Sequence, residues 1–179
     1  ITDFHLSNKN NLVNHTFPAG QVEFIKGDMY SNMMKGFAER YGDTLVEIAD
    51  IEGEEVAYGS VKNWNGVDIK FQKTIFAGFP GADLIIGGKV FYSHSLPGAA
   101  HASARSITSA ADIDKQIETA RQLQESDALY FVSGHGGLQT QNPASFMLQY
   151  YYAMKQALNQ NKNANDFVAA MTAAFPELS

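Results

Sequence analysis

Cysteine is absent from the 179 residues, which removes disulfides, thiolate zinc sites and thiol nucleophiles together. Any bound metal is left to histidine, aspartate and glutamate. Long apolar runs are absent as well. No run approaches the roughly 20 residues of a membrane span, so no membrane partner is expected. Positive charge is scarce: 13 Lys and Arg stand against 19 Asp and Glu, a net charge of −6, which argues against a nucleic-acid partner. No repeat, low-complexity tract or linker divides the sequence, the nearest thing being the Ala-, Gly- and Ser-rich stretch 96–106. The chain starts at Ile1 with neither Met nor a signal sequence, and reads as a mature, trimmed or incomplete product. Acidic balance and missing cysteine lean toward a periplasmic or exported setting.

What is present is globular: 45% hydrophobic, 18% charged and 12% aromatic residues, which exclude a disordered, collagen-like or coiled-coil chain. The length fits a single domain, residues 1–179. Local patterning predicts a strand over 1–6, an Asn-rich turn over 7–14 and a short strand over 22–26. Met29, Met33, Met34, Phe37 and Tyr41 recur at helical spacing and predict a helix stopped by Gly42. That Met stripe reads as core rather than as a ligand box. Short strands are expected over 56–59, 67–71, 74–76, 83–86 and 89–93, punctuated by Asn65-Gly66, Pro80-Gly81 and Gly87-Gly88. Ser109 caps a predicted helix over 111–124, followed by an apolar strand over 129–132 and the turn Ser133-Gly134-His135-Gly136-Gly137. Helices over 143–159 and 164–174 close the chain, the last stopping at Phe175-Pro176. The class is α/β (α+β), with strands backed by helices.

Three local patterns in this order resemble the second, larger part of a metallo-β-lactamase-fold protein. Leu129-Tyr-Phe-Val-Ser-Gly-His-Gly136 is similar to that superfamily's late strand ending in Gly-His-Gly. Residues 79–95, Phe-Pro-Gly-Ala-Asp through Tyr-Ser-His-Ser, resemble its pair of strands between a Pro-Gly turn and a Gly-Asp ending. Ile1-Thr-Asp-Phe-His-Leu-Ser7 resembles the strand that delivers a His-x-His-x-Asp-His motif, and the tail Ala-Met-Thr-Ala-Ala-Phe-Pro176 is similar to tails in one branch. The resemblance implies an αβ/βα sandwich, incomplete at its N-terminal sheet because the chain begins on the strand that enters the motif. It further implies completion of that sheet by an upstream segment or by a second copy of the chain.

Chemistry of that superfamily needs imidazoles and carboxylates around a metal that activates water. By the resemblance, Asn8, Asn10, Leu12 and Val13 stand where the first histidines and aspartate belong. Gly78 or Phe79 replaces a further histidine, and Ser95 replaces the bridging aspartate. Amides and alkyl groups do not replace imidazole and carboxylate. Only His135 matches a ligand position, so the resemblance implies the fold without the reaction and no cofactor, with zinc as the alternative.

Among the remaining residues, His135 reads either as functional, in a glycine-flanked strand end, or as a relic bonding its own loop. A replacement metal site would draw on His94, His101 and His135, with Asp83. His5 and His15 flank the altered motif and read as surface or strand-packing residues. Ser95, in Ser93-His94-Ser95, and Ser133 raise the question of a serine nucleophile but lack the Gly-x-Ser-x-Gly elbow of a serine hydrolase, and 134–137 lacks the lysine of a phosphate loop. The Asn run at 8–14 reads as a solvated loop, or as amides lining a cleft for a small polar ligand. Of the adjacent Tyr150, Tyr151 and Tyr152, at least one should face away from the core. The functional expectation is a non-catalytic binding or interaction module. The alternatives are a metal-dependent hydrolase whose ligands come from the histidine site, a missing segment or a partner chain, and a structural subunit partnering an active homologue.

Overall fold

The computed structural model describes residues 15–18, 28–42, 53–75, 81–94, 96–97, 101–102, 107–134 and 137–178. The strands expected over 1–6 and 22–26 and the Asn-rich turn lie outside the described residues. The chain divides into two compact units, one comprising Ile1–Ser60, Phe71–Lys73 and Pro80–Ala82, the other Val61–Lys70, Thr74–Phe79 and Asp83–Ser179.

In the first unit, β1 (His15–Pro18) pairs in parallel with β2 (Gly53–Val56), His15 opposite Gly53. His15 is thus a strand residue. Helix α1 (Asp28–Tyr41) ends at Gly42, whose φ of +55° supplies the left-handed stop that the sequence predicts. The strand expected over 56–59 is corrected: only Val56 is extended. Tyr58 and Gly59 turn, with Gly59 at φ +89° and its N–H donating to Phe71 O.

A six-stranded sheet runs in the order β3-β4-β5-β6-β7-β8. Strands β3 (Val61–Trp64) and β4 (Val67–Lys73) form a hairpin around Asn65-Gly66, both residues at positive φ as a tight hairpin turn requires. The expected break after Phe71 does not occur, and Thr74 and Ile75 lie outside the strands. The Ile75 N–H donates to Asp83 Oδ2 and its carbonyl accepts from Thr119 Oγ1, which leaves no ladder bonds to make. Strands β5 (Ala82–Ile86) and β6 (Val90–Ser93) pair antiparallel around Gly87-Gly88. Helix α2 (Ala110–Gln124) then crosses over to β7 (Tyr130–Ser133), parallel to β6, and β8 (Gly137–Gln139) folds back antiparallel. Three residues after a glycine turn carry too little alternation for β8 to be predicted.

Register sorts the side chains. Leu84, Tyr92, Val132 and Leu138 follow one another across one face; Ile85, Phe91, Phe131 and Gln139 occupy the other. Phe91 and Phe131 pack into a core with Ile113, Ile117, Leu123, Met147, Met154 and Met171. Ser109 Oγ accepts the Asp112 N–H, while the Asp112 carboxylate accepts from Thr108 and Ser109, so both ends of the cap are satisfied. Helices α3 (Ala144–Gln160) and α4 (Ala164–Ala174) follow, the second capped by Asn163 and stopped before Pro176. Tyr150 and Tyr151 are buried in the aromatic group with Phe146 and Phe175, and burial pushes the Tyr151 hydroxyl up to about 12. Tyr152 faces outward, its hydroxyl accepting from Arg121.

Candidate functional site

Among the described residues, the carboxyl ends of β6 and β7 are where adjacent parallel strands open beside a singled-out histidine, the kind of strand exit where ligands gather in open α/β sheets. Ser93 pairs with Ser133, both buried, and the Gly134 N–H donates to Ser93 O at 3.3 Å. His94 leaves β6 half-buried and lies against Gly134. A Cβ at Gly134 would stand 2.5 Å from His94 Nδ1 and 3.2 Å from His94 Cα. Glycine at 134 is therefore what allows the imidazole this close to the β7 exit, one residue before His135.

The chain beyond His94 is tied back to the sheet. Ser133 Oγ donates to Leu96 O at 2.9 Å and Gln139 Nε2 donates to Pro97 O at 3.0 Å. Further on, the Ala102 N–H donates to Tyr150 Oη at 3.0 Å, and His101 Nδ1 lies 3.1 Å from the same oxygen. His101 Nε2 is sealed from solvent and has no hydrogen-bond partner among the described residues. Tyr150 itself is buried, which raises its pKa above the ordinary tyrosine value.

Asp83 is fully buried on the core face, next to Ser93 by continuation of the β5–β6 register. Burial raises its pKa, countered by the Ser93 hydroxyl, the Ile75 N–H and the Thr74 hydroxyl. Its Oδ2 holds the Ile75 N–H at 2.8 Å, while Oδ1 completes no hydrogen bond among the described residues. This carboxyl anchors the segment leading into residues 76–80, a role the sequence reading did not assign.

His135, Ser95, Gly78, Phe79, Asn8, Asn10, Leu12, Val13 and His5 lie outside the described residues, and the side chain of His15 is likewise not described. Of the replacement metal site, the structure describes His94, His101 and Asp83. Among the described residues no three of His, Cys, Asp and Glu come together as a group that could hold a metal ion. One oxygen of Asp83 holds the Ile75 N–H, and one nitrogen of His101 meets Tyr150. The described donor set thus does not fit a zinc centre. Gly134 and Tyr150 were missed as site residues. The signal for the first was present, a Ser-His at one strand end and a Ser-Gly-His at the other, but only pairing of β6 with β7 juxtaposes them.

No protein-family model matches the sequence, and no curated protein matches it. Solved structures do. A metallo-β-lactamase family protein from Thermus thermophilus aligns with 92% of this chain and 65% of its own, at 10% identity and a TM-score of 0.52. An archaeal metallo-β-lactamase superfamily protein from Sulfolobus tokodaii aligns with 92% of this chain and 68% of its own, at 14% identity and a TM-score of 0.49. The likeness to the Thermus protein shows that the chain has the metallo-β-lactamase fold, the mixed α/β architecture expected from its sequence. The chain spans from 34% to 68% of the length of the first solved structures it resembles. No helix in the described residues is long and apolar enough to cross a membrane.

Proposed function

We propose that this metallo-β-lactamase-fold domain works as a binding module, taking a small polar ligand at the β6 and β7 strand ends, and does not hydrolyse through a metal. The observation that supports this reading is that the substitute donors are held apart by the fold: Asp83 Oδ2 takes the Ile75 N–H, His101 Nδ1 meets Tyr150, and among the described residues no third donor joins them. A catalytic metal needs three or so protein donors with one position left for water, and neighbouring groups that orient those donors toward the ion. The amides and hydroxyls that the resemblance puts at the former ligand positions, Asn8, Asn10 and Ser95, suit hydrogen bonding to a neutral or weakly charged molecule.

A screen of small polar molecules by NMR, with chelator present throughout, tests the proposal. Shifts confined to the amides of Ser93, His94, Ser133 and Gly134 are the expected result. Ligand shifts that appear only after zinc is restored would overturn it in favour of the metal-dependent hydrolase.

A further inference from the structure

His101 and Tyr150 settle their proton arrangement by a count of donors and acceptors. The Tyr150 oxygen accepts the Ala102 N–H at 3.0 Å, and it faces His101 Nδ1 at 3.1 Å. A tyrosine hydroxyl carries one proton, and a neutral imidazole carries one N–H and one bare nitrogen. If Nδ1 held the proton, Tyr150 would accept twice, and two buried groups would have no partner among the described residues: its own O–H and the bare Nε2. If Nδ1 is bare, the Tyr150 O–H donates to it, and the single group left over among the described residues is the Nε2–H. Burial makes each unmet polar group costly, so the arrangement with one is preferred to that with two.

We infer that Tyr150 fixes His101 as the Nε2–H tautomer, so that this ring is a hydrogen-bond donor and not a metal ligand. Tyr150 is the positioning residue. Its own orientation is secured by the Ala102 N–H and by packing against Tyr151 at 5.4 Å and Phe175 at 5.0 Å. A neutral histidine ligates through a bare nitrogen. Here the bare one is capped by a phenol, and the other carries a proton.

Long-range nitrogen–proton correlation spectra of the histidine rings in the full chain, assigned through the backbone, read the tautomer directly. In its neutral form, His101 should show a proton on Nε2 and a bare Nδ1. Tyr150→Phe, which removes the hydroxyl and keeps the ring, should shift His101 toward a mixture of tautomers, a change that loss of packing alone would not produce. Adding zinc chloride should leave the His101 ring signals in place. A proton found on Nδ1 in the wild-type chain, or a His101 ring that moves on adding zinc, overturns the inference, and the first of these needs no variant. Zinc shifts at His94 or His135 with His101 unmoved would instead sink the binding-module reading and leave the tautomer standing.

Discussion

Replacing Gly134 by alanine tests whether the strand-end site is built as described. The added methyl would lie 2.5 Å from His94 Nδ1, 3.1 Å from Cγ and 3.2 Å from Cα. Turning the imidazole away relieves the first two contacts at an off-rotamer cost of about 0.5–1.5 kcal/mol. The third contact is to backbone, and its relief requires the ends of β6 and β7 to move apart, stretching the Gly134 N–H to Ser93 O bond. Overpacking of this kind costs about 1–3 kcal/mol. Against it stands a gain of about 0.4–1 kcal/mol from the stiffer unfolded chain. The net is a loss of about 1–2 kcal/mol, or about 2–8 °C in melting temperature for a domain of this size. Gly36→Ala is the internal comparison, because it lies exposed within α1 with nothing within 4 Å of the added methyl, and should stabilise by about 0.5–1 kcal/mol. Urea unfolding followed by circular dichroism reads both, and the His94 ring resonances should move only in Gly134→Ala. A Gly134→Ala chain as stable as wild type, with unmoved His94 resonances, would refute the packing of His94 against β7.

Other perturbations follow from the same contacts. Because burial raises the Asp83 pKa, its contribution is most favourable below the unfolded value and is lost as pH rises through the folded one. The stability of Asp83→Asn relative to wild type should therefore increase as pH rises from below the unfolded carboxyl value, and a flat difference in urea midpoints would count against it. Asp112 behaves oppositely. Hydroxyls of Ser109 and Thr108 hold its carboxyl well below the usual range, so its contribution is present above the unfolded pKa and falls away in acid. Asp112→Asn should lose stability at neutral pH and converge with wild type in strong acid. Removing the cap with Ser109→Ala should cost about 0.5–2 kcal/mol in the same assay. Met147→Ala, at a fully buried position between helices and sheet, should cost about 2–5 kcal/mol in chemical unfolding.

The helices were legible because their signals are local. Ser109 stands where a cap must, and Ile113, Ile117, Ala120 and Leu123 all came to lie in the core. The hairpin at Asn65-Gly66 was equally plain, since few other dipeptides accept positive φ at both positions. Strand limits were less legible where a tertiary contact overrode local pattern. Gly59 turns because Phe71 takes its N–H, and Ile75 leaves the sheet because Asp83 and Thr119 hold both its backbone groups. The strand-end site was half legible. His94 was singled out from its place after a strand, but the Gly134 that makes room for it, and the Tyr150 that meets His101 across 49 positions of sequence, emerge only once strands and helices are paired.

Metal content decides the central claim most directly. Protein purified without chelator or a metal-affinity tag would be measured by mass spectrometry, then again after incubation with zinc and desalting. The binding-module account predicts far less than one equivalent in both samples. One or two retained equivalents would contradict it, and alanine at His135, His94 and His101 in turn would then show which side chains hold the ion.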